Sequence, residues 1–150
     1  MDSEIEKLDK MRMRYLEWYL IGIVLFLILS LIRYFFRLGD LNAQPIGIAV
    51  LAGLFLCVGL IAFSTYKSGA LARKIRQDPL LDEALNNEMV QSLETQSWKA
   101  AYIGAIATTS FFALVGFIYP VCDLVLVALT SIVAGAGANR ATFYFKYRSL

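Results

Sequence analysis

Four long apolar runs, at 15–36, 45–66, 100–119 and 123–144, constrain this chain more than any other feature. A bilayer's hydrocarbon core is about 30 Å thick and an α-helix rises about 1.5 Å per residue, so roughly 20 mostly apolar residues cross it. Each run meets that length. A segment in hydrocarbon must satisfy its own backbone polar groups, and an isolated apolar run does this only as a helix. The expected fold is therefore an all-α membrane protein, one domain over residues 1–150 with four transmembrane helices. Hydrophobic residues make up 59% of the chain, as such a fold requires.

The flanking charges orient the spans. With the N-terminus inside, the inner segments hold Lys7, Lys10, Arg12, Arg14, Lys67, Arg73, Lys74, Arg76, Lys99, Arg140, Lys146 and Arg148. The outer ones hold Arg33 and Arg37 alone. Orientation follows Lys and Arg near span ends and is nearly blind to acids, so both termini are expected in the cytoplasm. Trp18, Tyr15, Tyr66, Trp98, Tyr102, Tyr144 and Tyr147 then fall at inner span ends, with Tyr34, Phe35, Phe117 and Tyr119 near outer ones, where amphipathic rings anchor. The first run is too long for a signal-peptide core and lacks a small-residue cleavage pattern after it, so it is expected to stay in the mature protein.

Motif chemistry is sparse. The chain has no histidine, which removes imidazole bases, imidazole metal ligands and the usual pH switch. No P-loop, dinucleotide-binding, nucleophile-elbow or zincin pattern occurs. Cys57 falls mid-span and Cys122 at an outer turn, depths that disfavour a bridge. The acids are scattered through surface segments. No enzyme activity, cofactor or metal is expected. With a net charge of +2 and no helix carrying a long basic face, nucleic acid is not an expected partner either.

The outer connections, 37–44 and 120–122, are too short to form a domain. The inner stretch 67–99 is patterned. Residues 70–76 extend the second span as helix, Asp78-Pro79 supplies a break, a cap and a first helical position, and Leu81, Leu85, Met89 and Leu93 then recur every four residues. This reads as a cytoplasmic helical hairpin with an amphipathic arm. In the N-terminal segment, Ser3 and Glu6 form a capping-box pair, and Ile5, Leu8, Met11 and Tyr15 lie near one face. Packing these two stripes together would bury both. Leu81, Leu85, Met89 and Leu93 are expected to bind a cytoplasmic protein or a second copy, with a dimer the favoured assembly.

Ionisable side chains in a span cost roughly 2.5–3.5 kcal/mol at its centre, so each needs a reason. Glu17 and Arg140 lie near the inner ends of their spans. They either snorkel to the interface or form an intramembrane pair. Small residues recur at four-residue spacing, Ala101, Ala105, Thr109 and Ala113 in the third span and Thr130, Ala134, Ala138 and Thr142, with Ser131, Gly135 and Asn139 beside them, in the fourth, ridges that let helices approach closely. Thr108, Thr109 and Ser110 are expected to bond to backbone carbonyls rather than to line a pore. Arg73, Lys74 and Arg76 set topology and can attract anionic lipid headgroups.

The stretch 78–104, DPLLDEALNNEMVQSLETQSWKAAYIG, resembles a segment of small, poorly characterised bacterial four-span membrane proteins, in which an Asp-Glu pair opens a cytoplasmic helix that runs through a Lys-Ala or Arg-Ala step into the third span. Asp82-Glu83 and Lys99-Ala100 match, and GAGANRATFYFKY at 135–147 is similar in style; Ala84 stands where those proteins carry Arg. The resemblance implies a bacterial inner-membrane protein, in a family with some members encoded beside helix-turn-helix regulators. It thereby implies control of a soluble partner. The expected function is that of a non-enzymatic membrane interaction or regulatory protein. The alternative is a small transporter or channel with Glu17 as a functional carboxylate.

Overall fold

The computed structural model describes residues 2–35, 45–85, 88–118 and 124–149. They form α1 (Asp2–Phe35), α2 (Pro45–Gln77), the short α3 (Pro79–Leu85), α4 (Glu88–Ile118) and α5 (Leu124–Arg148), with no strand among the described residues. Helices α1, α2, α4 and α5 are each long and apolar enough to cross a membrane. Both proposed outer turns lie outside the described residues, as does Cys122; Cys57 is buried and free.

Each long helix overruns its apolar run at one end of the molecule, where α1 begins, α2 ends, α4 begins and α5 ends. There α3 lies across α1 and α2. This is called the capped end below. The turn into α3 uses Asp78 as expected: its Oδ1 accepts from the Leu80 amide at 3.0 Å, Pro79 takes the first helical position, and the Asp82 amide donates to the Asp78 carbonyl at 2.9 Å. The other expected cap depends on the Ser3 side chain, which lies outside what the structure describes. Helix α1 already includes Asp2 and Ser3, so Ser3 is inside the first turn, and Glu6 pairs with Lys10 one turn on, at 2.6 Å.

Packing is uneven around the helices. α1 packs on α2 and on α5, and α4 packs on α5, with no comparable seam between α2 and α4 among the described residues. Side chains of α4 also reach α1, with the Phe112 ring edge-on to Tyr34 at 4.8 Å. The result is an α1–α4–α5 core with α2 on its α1 flank. The α4–α5 seam uses Ala101, Ala105, Gly135 and Ala138 of the expected ridges together with Gly104, which lies outside them. A Cβ on Gly104 would sit 2.8 Å from the Cβ of Ala138, and one on Gly135 would sit 2.9 Å from the carbonyl oxygen of Ala101. Only backbones this close can gain dispersion without a large side chain between them. Of the third-span ridge, Ala101 and Ala105 are partly covered at this seam, while Thr109 and Ala113 are exposed. Thr108 and Thr109 donate to the carbonyls of Gly104 and Ala105 at 2.8 and 2.9 Å, the backbone bonding expected of them.

The outward faces are apolar. Phe55 and Leu56 on α2, and Ile103 and Leu114 on α4, are two-thirds or more exposed, the inverse of a water-soluble bundle and the surface that lipid tails match.

Candidate functional site

The densest set of specific contacts lies at the capped end, in two neighbouring apolar clusters. Leu8 of α1, Leu71 and Ile75 of α2, and Leu81 and Leu85 of α3 form the first, with Ile5, Met11 and Tyr15 against it. Leu16 of α1, Val90 and Leu93 of α4, and Phe143 and Tyr144 of α5 form the second. The N-terminal stripe and the hairpin stripe thus cover one another. Fully burying a Leu or Ile side chain contributes about 1.5–3 kcal/mol, so the cap is held by the same effect as any soluble core.

This changes the reading of Leu81, Leu85, Met89 and Leu93 as an open partner-binding face. Leu81, Leu85 and Leu93 are buried within the chain, whereas Met89 is 52% exposed. The four-residue rhythm does not hold, because burial in α4 falls on Val90 and not on Met89. In the first three turns of α4 the buried positions are Val90, Leu93 and Ser97, at i, i+3 and i+7. Leu80 joins Met89 as an exposed apolar side chain of the cap.

Arg12 ties the two clusters together. Its Nη1 donates to the carbonyl oxygen of Leu85 at 3.1 Å. That oxygen belongs to the last turn of α3, where carbonyls have no intrahelical donor and the helix dipole favours a cation. The same guanidinium lies 5.2 Å from the Phe143 ring centre and 5.3 Å from that of Tyr147, and the two rings stack. Tyr147 in turn donates to Asp9 Oδ1 at 2.7 Å, closing a loop of contacts between the start of α1 and the end of α5. Lys146 donates to the Gln96 side chain, which fastens α5 to α4 at the same level.

Glu17 and Arg140 do not pair. Glu17 Oε1 accepts from the Tyr144 hydroxyl at 2.8 Å, and that hydroxyl also accepts from Arg148 Nη1 at 3.2 Å. The helix register explains it. On α5, Tyr144 lies one turn beyond Arg140 and comes level with Glu17, while Arg140 comes near Tyr19. Among the basic trio, Arg73 bonds its own preceding turn through the Gly69 carbonyl at 3.4 Å, and Arg73, Lys74 and Arg76 are all exposed on α2.

Sequence reasoning treated Arg12 as one more topology charge and Tyr144 and Tyr147 as interface anchors. Its overlooked signals were the i, i+4 aromatic pair Phe143–Tyr147 on a helix end and the i, i+3 pair Asp9–Arg12 on the segment facing it. No family model matches the chain, and no curated protein or solved structure matches it either.

Proposed function

We propose that this chain is a non-enzymatic integral membrane interaction protein whose capped end lies in the cytoplasm of a bacterial cell. There it presents a surface to a cytoplasmic protein or to a second copy, a dimer being the favoured assembly. The observation that carries the reading is the cap itself: segments of all five helices are locked by two apolar clusters and the Arg12 network beyond the apolar runs. Helices that need only cross a bilayer have no use for such a structure. The placement of Lys and Arg around the four spans supports the orientation.

The contact surface in this reading is the outer side of the cap, where exposed Leu80 and Met89 accompany the exposed carboxylates Glu83 and Glu88. Leu81, Leu85 and Leu93 hold the platform from beneath. The test is association of the full-length protein in mild detergent, measured by complex mass and crosslinking. Changing Leu80 and Met89 together to Asp is expected to remove the partner or the second copy, with helicity and elution behaviour unchanged. Association that survives this pair of changes overturns the reading. Proteoliposome flux that disappears in Glu17→Gln would favour the transporter alternative instead.

A further inference from the structure

A cavity of about 280 Å³ opens between α2 and the α1–α5 pair, at the level where the spans meet the cap. Three arginines from three different helices line it: Arg12 of α1, Arg76 of α2 and Arg140 of α5. Its walls also include Ser68 and Tyr19, and the one carboxylate is Glu94 of α4. Arg76 and Arg140 make no hydrogen bond or ion pair with another described residue.

We propose that this cavity is a binding site for a phosphate monoester. Among its described lining, three cations against one anion leave two positive charges uncompensated, and Arg76 and Arg140 are exposed and so open to an incoming anion. Such an arrangement repels itself when empty. It is relieved by a compact dianion, and a phosphate monoester carries about −1.5 to −2 charges at neutral pH with three acceptor oxygens. Guanidinium forks match those oxygens in pairs, and the Ser68 and Tyr19 hydroxyls are additional donors. The space suits a headgroup-sized ligand, since pockets for larger small molecules begin at about 300 Å³. The site differs from the outward-facing side chains of Arg73 and Lys74, which do not line it.

The phosphate can come from a lipid headgroup or from a soluble phosphate ester, and the probes separate these sources. Full-length protein in an uncharged detergent would be titrated with dihexanoyl phosphatidic acid, sn-glycerol 3-phosphate and dihexanoyl phosphatidylcholine, with binding read by calorimetry and thermal shift. Saturable binding of the phosphatidic acid that weakens at least about tenfold in Arg140→Gln and in Arg76→Gln supports the site, since a charge-assisted hydrogen bond is of that size. If glycerol 3-phosphate binds as well, with the same sensitivity, the source is soluble; if it does not, the source is lipid. Arg73→Gln should bind within about twofold of wild type, because that side chain belongs to the surface and not to the recess. Arg140→Lys keeps the charge and loses the fork, so it should bind with intermediate strength and serves if Arg140→Gln does not fold. Three results overturn the proposal: no binding of either monoester, equal binding of phosphatidylcholine, or a loss in Arg73→Gln as large as that in Arg140→Gln.

Discussion

Arg12 donates its guanidinium hydrogen to the carbonyl oxygen of Leu85, 3.1 Å away and 73 positions later in the chain. One side chain thereby finishes the C-terminal end of α3, holds α1 beneath it and rests on the aromatic end of α5. Through this group the two clusters of the cap are joined.

Arg12→Met should therefore loosen the cap as a unit. A hydrogen bond to a charged group contributes about 1.5–3 kcal/mol and a partly exposed cation–π contact about 0.5–1 kcal/mol, so a loss of about 2 kcal/mol is expected locally. Hydrogen exchange in detergent should speed up at the amides of α3 and the first turn of α4, while amides of the α4–α5 seam keep their protection. Uniform exchange at wild-type rates would show that the contact contributes nothing.

Glu17 and Tyr144 should be coupled, and Glu17 and Arg140 should not. In a double-mutant cycle of Glu17→Gln with Tyr144→Phe, the stabilities should depart from additivity by about 0.5–3 kcal/mol. The cycle of Glu17→Gln with Arg140→Gln should close within about 0.5 kcal/mol. Reversible unfolding monitored by circular dichroism gives both.

Leu85 and Met89, four positions apart, should respond oppositely to truncation. Leu85→Ala opens space in the cluster with Leu8 and Ile75 and is expected to cost about 2–4 kcal/mol. Met89→Ala removes an exposed side chain and should stay within about 0.5 kcal/mol of wild type. Equal costs in a thermal-unfolding comparison would mean that the two side chains are equally covered.

Gly135→Val should separate α4 from α5, because the added Cβ would lie 2.9 Å from the Ala101 carbonyl oxygen and 3.1 Å from the Cβ of Ala105. Overpacking of this kind costs about 1–3 kcal/mol. Gly59→Ala and Gly116→Ala meet no atom within 4 Å and should be neutral or stabilising by up to about 1 kcal/mol, through helix propensity alone. Melting temperatures in one detergent compare all three.

The sequence by itself determined the elements. Four helices of spanning length, the Asp78-Pro79 start of α3 and the backbone bonding of Thr108 and Thr109 each depend on neighbours within a turn or two, and local composition is enough to specify them. Small residues likewise marked Ala101 and Ala105 as a close-packing ridge. Tertiary structure decided what depends on the rotation and axial register of one helix against another. It placed Val90 and not Met89 in the core, set Tyr144 and not Arg140 level with Glu17, brought Arg12 under Leu85, and gathered Arg12, Arg76 and Arg140 around one cavity. No local pattern encodes these, since sliding a helix by one turn, about 5.4 Å, changes every partner while leaving its own hydrogen bonds and hydropathy untouched.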